Sequence, residues 1–335
     1  MDSRADARWT VELAGRRCLV TGGLGFIGSN LTSRLTRAGA HVVVVDSLVP
    51  SHGGRRENLL SDGEVEVIVA DIGDRDAVAD SAREAEIIFN LAGQVSHVDS
   101  MVDPVFDLEV NTRSHLAFLE TLRAVESRAR VVYTSTRQVF GHPQYLPVDE
   151  EHPVMPVDVN GVSQHATEHL HRLYGEFYDL ESCVLRLTNV YGPRQRLTGD
   201  SQGFIPIFVR QALQDEEIVV YADGRQLRDC LYVDDVVDIL LFAGISPDAP
   251  AQLFNVGTDE VHTVRAIADL IVSTAGSGRV ASIPWPAHRE MIAVGSYYTD
   301  WSKAKRTLGW MPKVGLREGI RRMIEYYRTF PTAIA

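Results

Sequence analysis

The chain has 335 residues, 45% of them hydrophobic, with a formal net charge of −12 and a pI near 5.4. That length exceeds one small core and implies either a large α/β unit or two lobes. The acidic balance argues against nucleic acid and anionic membrane as partners, and no apolar run approaches the length of a membrane span.

The N-terminal stretch Met1–Leu13 is polar, with no apolar core of a signal peptide, so residues 1–15 are expected to be loosely ordered. An apolar run, Cys18–Val20, then leads into Thr21-Gly22-Gly23-Leu24-Gly25-Phe26-Ile27-Gly28. A helical pattern covers Phe26–Ala38, and a second apolar run, Val42–Val45, ends on Asp46. Strand, glycine turn, helix, strand and acid come in the order a dinucleotide site needs. The glycines let the backbone approach a pyrophosphate at the helix N-terminus. A carboxylate at the tip of the second strand accepts the ribose hydroxyls and repels a 2′-phosphate, so NAD is expected over NADP. Arg55-Arg56 downstream could instead fold back toward a phosphate.

Strand-like runs recur at Val65–Ala70, Glu86–Ala92, Arg130–Ser135 and Ser182–Leu187, with helical patterns at Asp74–Arg83, Val105–Val125 and Ser163–Tyr178. This alternation predicts an α/β fold, a doubly wound, Rossmann-like parallel sheet covered on both faces. Ligands in such folds sit beyond the carboxyl ends of the strands. After Tyr191 the rhythm changes. A polar stretch, Pro193–Gly203, precedes a helix near Ile205–Leu213, strands near Glu217–Tyr221 and Leu253–Val256, and a helix opening at Asp234-Asp235. The expected organisation is an NAD-binding domain over 16–190 and a smaller substrate lobe over 191–335, with segments of the latter returning to the first domain. Cys18, Cys183 and Cys230 show neither metal spacing nor a paired framework. Buried reduced thiols at Cys18 and Cys183, no metal and a cytoplasmic setting are expected.

Taken together, these motifs resemble the extended short-chain dehydrogenase/reductases of the nucleotide-sugar epimerase/dehydratase type, from about Arg17 to about Tyr327. The resemblance rests on the TGGLGFIG run, Asp71-Ile72, Leu91-Ala92-Gly93, Asn111, the RLTNVYGP segment Arg186–Pro193, the GRQLRDCLYVDDVV segment Gly224–Val237, and WSKAKRTLGWMP at Trp301–Pro312. It implies that Gly22, Gly25, Phe26, Ile27, Gly28, Asp46, Asp71, Ile72, Leu91, Ala92 and Gly93 surround NAD. It also implies that Asn189, Phe204, Tyr221, Arg228 and Arg289 bind a nucleoside-diphosphate sugar, the arginines as planar donors to the diphosphate. Homodimers in the family pack through the two helices here expected at Val105–Val125 and Ser163–Tyr178; Leu116, Leu119 and Leu122 are available for that face, and the same spacing serves an ordinary core.

The family's Tyr-x-x-x-Lys pair corresponds to Asn160 and Gln164. An asparagine amide cannot shuttle a proton near neutral pH, and a glutamine has no charge with which to depress a neighbour's pKa. Gln164 can still bond a ribose. The remaining candidates for the reacting centre are Thr136, at the family's Ser/Thr position, and His97, which titrates in the useful range. His142 and Tyr145 lie on a loop that could reach the cleft, and His165 should face away if Gln164 faces the cofactor. The expected activity is NAD-dependent epimerisation, or a related dehydration, through transient oxidation of a sugar hydroxyl. The rival expectation is a catalytically silent protein that binds NAD and a nucleotide sugar in a sensing or supporting role.

Overall fold

The computed structural model describes residues 11–49, 52–59, 65–199, 203–286 and 293–331. Short runs rich in β-branched residues become strands: β1 (Arg17–Thr21), β2 (His41–Asp46), β3 (Glu66–Val69), β4 (Ile87–Asn90), β5 (Arg130–Thr136) and β6 (Ser182–Leu187). Helices fill the crossovers: α1 (Phe26–Arg37), α2 (Arg75–Glu84), α3 (His97–Val102), α4 (Pro104–Leu108), α5 (Ser114–Ala124) and α6 (Val159–Tyr178). There follow β7 (Asn189–Tyr191), α7 (Phe204–Leu213), β8 (Glu217–Tyr221), β9 (Leu227–Tyr232), α8 (Val233–Ile245), β10 (Leu253–Val256), β11 (Val261–Thr263), α9 (Val264–Ala275), β12 (Arg279–Ile283), α10 (Ser302–Leu308) and α11 (Leu316–Thr329).

The main sheet has the order β3-β2-β1-β4-β5-β6-β10, and every pairing in it is parallel. The order reverses between β1 and β4, which opens a crevice at their carboxyl ends. One face packs under α1 and α8 through Leu31, Leu35, Ile239 and Leu240; the other packs under α2, α5 and α6 through Val78, Phe118, Leu122 and Tyr174. A second core joins α7, α9 and α11 to the β8–β12 pair through Phe208, Ile218, Ile267 and Ile320.

Three elements differ from the sequence expectation. Leu253–Val256 is an edge strand of the main sheet, paired with β6, and not a strand of the small lobe. The apolar run reads alike in either place, and only the long connection through α8 decides which edge it joins. The helix expected at Val105–Val125 is broken into α4, a π turn over Glu109–Arg113 and α5. Leu119 and Leu122 are buried in the core, whereas Leu116 is 39% exposed, so only the last is available to a partner. Of the stretch 1–15 expected to be loose, residues 11–15 are described, and Leu13 is fully buried in the core under α1.

Phe254 on β10 is fully buried and lies beneath the Lys303 ammonium. Phe254→Ala should destabilise the protein by about 3–5 kcal/mol, the range for emptying a buried aromatic site. Urea unfolding reads this directly, and a loss under about 1 kcal/mol would place the strand outside the core.

Candidate active site

The glycine turn between β1 and α1 is closed by sterics. Gly22 has φ +66°, and a Cβ there would lie 2.9 Å from the backbone of Leu91 and Ala92; a Cβ on Gly28 would lie 2.2 Å from the Gly22 carbonyl. Only glycine allows this packing of turn, helix and neighbouring strand. The first turn of α1 therefore presents its N–H groups to the cleft, lined here by Gly22, Gly25, Phe26, Ile27 and Gly28. Asp46, at the end of β2, is held by two backbone donors: Leu24 N–H to Oδ2 at 3.0 Å and Leu48 N–H to Oδ1 at 2.9 Å. Asp71, Ile72, Leu91, Ala92 and Gly93 line the same end. A fixed carboxylate at the strand tip and an unobstructed helix N-terminus fit a dinucleotide with a free ribose 2′-hydroxyl. Gly54 lies on this wall, while Arg55 and Arg56 are not among its lining residues.

Beyond the turn, the loop after β4 is held by two buried side chains. Asn111, on the π turn, accepts from Gln94 N–H through Oδ1 at 2.9 Å and donates to the Gln94 carbonyl through Nδ2 at 3.0 Å. The extra residue of a π turn re-aims a side chain in this way. His115 takes Asn90 Nδ2 on its Nδ1 and so donates from Nε2 to the Ala92 carbonyl. Complete burial pushes this imidazole down to about 4, so it is a neutral strut.

At the middle of the cleft, Asn160 and Gln164 lie one turn apart on the inner face of α6. Asn160 is only 1% exposed, and its Nδ2 donates to the Gln94 carbonyl at 2.8 Å and to Asp107 Oδ2 at 3.2 Å. Both neighbours are acceptors, which fixes the amide orientation and leaves Oδ1 as the atom Asn160 can offer the cleft. Gln164 Oε1 accepts from the Tyr133 hydroxyl at 2.5 Å, leaving Nε2 as its donor. Tyr133 itself is sealed below the cleft, and burial raises it far above the ordinary phenol value. Thr136 also lines the cleft, its Oγ1 accepting from Gln138 N–H at 3.2 Å. His97 opens α3, with Nδ1 3.3 Å from Gln138 Nε2.

Sequence reasoning missed Asp158. It caps α6, accepting from Gly161 N–H through Oδ1 at 2.7 Å, and lines the cleft. Burial, with the nearby Asp107 charge, pushes its carboxyl up to about 6, against the opposing Gly161 bond and Arg137. Asp158 is thus a carboxyl of the middle section that titrates near neutral pH. The only signal for Asp158 in the sequence was its fitness as an N-cap, which gives no hint of its surroundings.

The far end gathers cations. Arg228 donates to the carbonyls of Leu227 and Gly295 at 2.7 and 2.6 Å, and burial beside Arg137 pushes it down to about 9. Arg137 donates to Asn189 Oδ1 at 3.1 Å and lies over the Tyr297 ring. Neither arginine has an ion-pair partner among the described residues, so both charges remain for an anionic ligand. Tyr221 meets Trp285 at 4.8 Å between ring centroids, and Phe204 lines the same wall. Arg137 and Trp285 had no assigned role in the sequence reading. Arg289 lies outside the described residues. His142, Tyr145 and His165 are not among the lining residues, and Arg225 is an exposed partner of Asp223. Among the described residues no group of three or more His, Cys, Asp or Glu side chains is placed to hold a metal. No described helix is long and apolar enough to cross a membrane. All three cysteines are buried and free.

A single cleft of about 760 Å³ joins these three parts. The fold and site define an NAD-dependent enzyme of the nucleotide-sugar epimerase/dehydratase type. Comparison with known proteins agrees. The NAD dependent epimerase/dehydratase family matches over residues 18–257, and the chain belongs to that family. The UDP-glucose 4-epimerase of Mycolicibacterium smegmatis is 36% identical over 317 residues, covering 93% of this chain and 98% of that protein. The UDP-glucose 4-epimerase of Thermotoga maritima, solved with UDP-glucose, superposes with a TM-score of 0.86 at 32% identity, covering 94% of this chain and 99% of that one. The Thermus thermophilus UDP-glucose 4-epimerase, solved with NAD, gives 0.82 at 34% identity, covering 93% and 99%.

Two expectations follow from this geometry. The wild-type protein should bind NAD in preference to NADP, and Asp46→Ala should weaken NAD binding and relax the preference. Equal affinity of the wild type for both in calorimetry would contradict the role given to Asp46. The second concerns pH. The folded pKa of Asp158 lies above its ordinary 3.8, so the fold binds this proton more tightly than the unfolded chain does. The resulting stability is complete below about 3.8 and lost as pH rises through about 6. Asp158→Asn keeps the cap and removes the buried charge. It should stabilise the protein at pH 7.5 by about 1–3 kcal/mol, with the difference fading by pH 4. Urea unfolding across this range measures it, and a difference independent of pH would refute the burial argument.

Proposed function

We propose that this protein is a UDP-sugar 4-epimerase that works through transient oxidation of the C4 hydroxyl, as a cytoplasmic homodimer. The observation that carries the reading is the continuity of the cleft. It runs from the glycine turn and Asp46, past Asn160, Gln164, Thr136 and His97, to the unpaired Arg137–Arg228 cations. A pure dinucleotide sensor would have no use for the cationic end. Bound NAD supplies a hydride acceptor and donor; the chain's own residues position the sugar and manage the proton.

In this reading Gly22, Gly25, Phe26, Ile27, Gly28, Asp46, Asp71, Ile72, Leu91, Ala92 and Gly93 hold the dinucleotide, with Gln164 Nε2 donating to the nicotinamide ribose. Arg228 and Asn189, with Arg289, bind the diphosphate, while Phe204 and Tyr221 pack the base and ribose. Thr136 and the Asn160 carbonyl orient the sugar hydroxyl. His97 takes and returns its proton, since neither amide titrates. The dimer uses the outer face of α5 and α6, where Leu116, Val162, Leu173 and Phe177 are exposed. The three buried thiols and acidic chain suit a reducing cytoplasm. One observation favours the silent reading instead: the amide protons of Asn160 are directed away from the cleft.

Incubation with UDP-glucose and NAD should yield UDP-galactose, followed by NMR. Arg228→Ala should raise the KM for the nucleotide sugar by about tenfold to a hundredfold, as loss of a charge-assisted bond implies, with NAD affinity unchanged. His97→Asn should remove most of the turnover and its pH dependence. Loss on Asp158→Asn with His97→Asn unaffected would move the proton to Asp158. Absence of turnover with UDP- and dTDP-hexoses, in protein that still binds NAD and the nucleotide, would establish the silent reading.

A further inference from the structure

In the run His165-Ala166-Thr167-Glu168-His169 of α6, the two histidines lie outside the cleft while Thr167 and Glu168 are buried. His165 and His169 stand one turn apart, and their Nε2 atoms converge to 3.2 Å, with ring centroids 4.5 Å apart and planes at 73°. Two nitrogens bound to one zinc-like ion at 2.0–2.1 Å are separated by about 2.9–3.4 Å for bond angles between square and tetrahedral. The observed spacing falls in that window; it is held by a hydrogen bond between the two rings, whose shared hydrogen an incoming ion would replace.

The Nδ1–H tautomer of His165 is set from beneath. His165 Nδ1 lies 3.1 Å from Glu168 Oε2. A carboxylate only accepts, so Nδ1 carries the hydrogen and Nε2 carries the lone pair. Glu168 cannot turn away, because Arg186 donates to it at 2.8 and 2.6 Å and Ser135 at 2.5 Å, in a buried setting. A carboxylate behind a histidine is the usual support of a metal-binding imidazole.

We propose that His165 and His169 form a chelating site for a divalent first-row transition ion such as Zn²⁺ or Ni²⁺, separate from the dinucleotide cleft. His-x-x-Glu-His is also the order of ligands and base in one class of zinc hydrolases. Here Glu168 is committed to Arg186 and Ser135, so the site binds metal without hydrolytic chemistry. Water completes the coordination sphere, or the same pair of a second copy does so where this face packs on itself.

The test is calorimetric titration of untagged, metal-stripped protein with Zn²⁺ and with Ni²⁺. Micromolar binding is expected, at one ion per chain or per two chains, and none with Mg²⁺, which prefers oxygen ligands. His169→Gln and His165→Gln should each weaken binding at least tenfold while leaving NAD affinity unchanged, which reports that the fold persists. Wild-type binding no tighter than that of the variants overturns the proposal. A second measurement needs no variant: Zn²⁺ should shift the imidazole ¹⁵N resonances of His165 and His169 together, with the Nδ1–H form of His165 retained. Shifts confined to other histidines would equally overturn it. Neither result depends on turnover of a nucleotide sugar.

Discussion

A buried carboxylate that no cation pairs among the described residues organises the centre of this molecule. Asp107 is fully buried on α4, and its oxygens are satisfied by neutral donors: Ser163 Oγ at 2.7 Å, Asn111 Nδ2 at 3.1 Å and Asn160 Nδ2 at 3.2 Å. An ionised group in such a place is tolerable only when its lone pairs are filled. The donors come from the π turn and from α6, so the requirement ties three segments together. The same Asn111 and Asn160 amides also serve Gln94, which places the loop after β4. The middle wall of the cleft is therefore one hydrogen-bonded unit.

This arrangement divides the cleft by mechanical character. Around Asp107 the polar groups are mutually satisfied, and few donors face inward. At the far end Arg137 and Arg228 are held by carbonyls and an amide, and neither makes an ion pair among the described residues. Burial beside Arg137 has already lowered Arg228, so an anionic ligand would relieve a repulsion as well as form bonds. Binding strength should concentrate there, and the middle should contribute shape and orientation. The glycine turn adds a third regime, in which backbone geometry rather than charge sets the fit.

Much of this was legible in the sequence. Ser182–Leu187, Glu217–Tyr221 and Leu253–Val256 are strands at the expected bounds, because short apolar runs with β-branched residues admit few other fates. The glycine turn and Asp46 were legible because their spacing encodes a local geometry. The Asp107 network was not, since its partners on α6 lie 53 and 56 residues away and no local pattern links them to Asp107. Asp158 was missed: its place as the cap of α6 emerges only with the helix start at Val159, and its raised pKa comes from burial by distant segments. The π turn hides for a similar reason, as one extra residue in a helix barely alters the apolar period. Trp285 became part of the site only through the pairing of β12 with β8, a contact between distant segments.

The Asp107 network also changes what the residues at 160 and 164 mean. An asparagine at 160 can be read as a lost tyrosine, but here it is a donor that a buried carboxylate requires. A phenol in its place has a single O–H, which could not serve both Asp107 and the Gln94 carbonyl while facing a sugar. Gln164 is similarly committed: its carbonyl accepts the Tyr133 hydroxyl, and a lysine ammonium has no acceptor with which to replace it. The two positions are thus coupled to Asp107 and Tyr133, and placing tyrosine at 160 and lysine at 164 alone would leave buried groups unsatisfied. The middle of the cleft is a consistent structure in its own right, built on hydrogen bonds that a tyrosine–lysine pair could not make. The chemistry proposed for it must come from groups outside that unit, and His97 and Asp158 are the titratable side chains that stand at its edge.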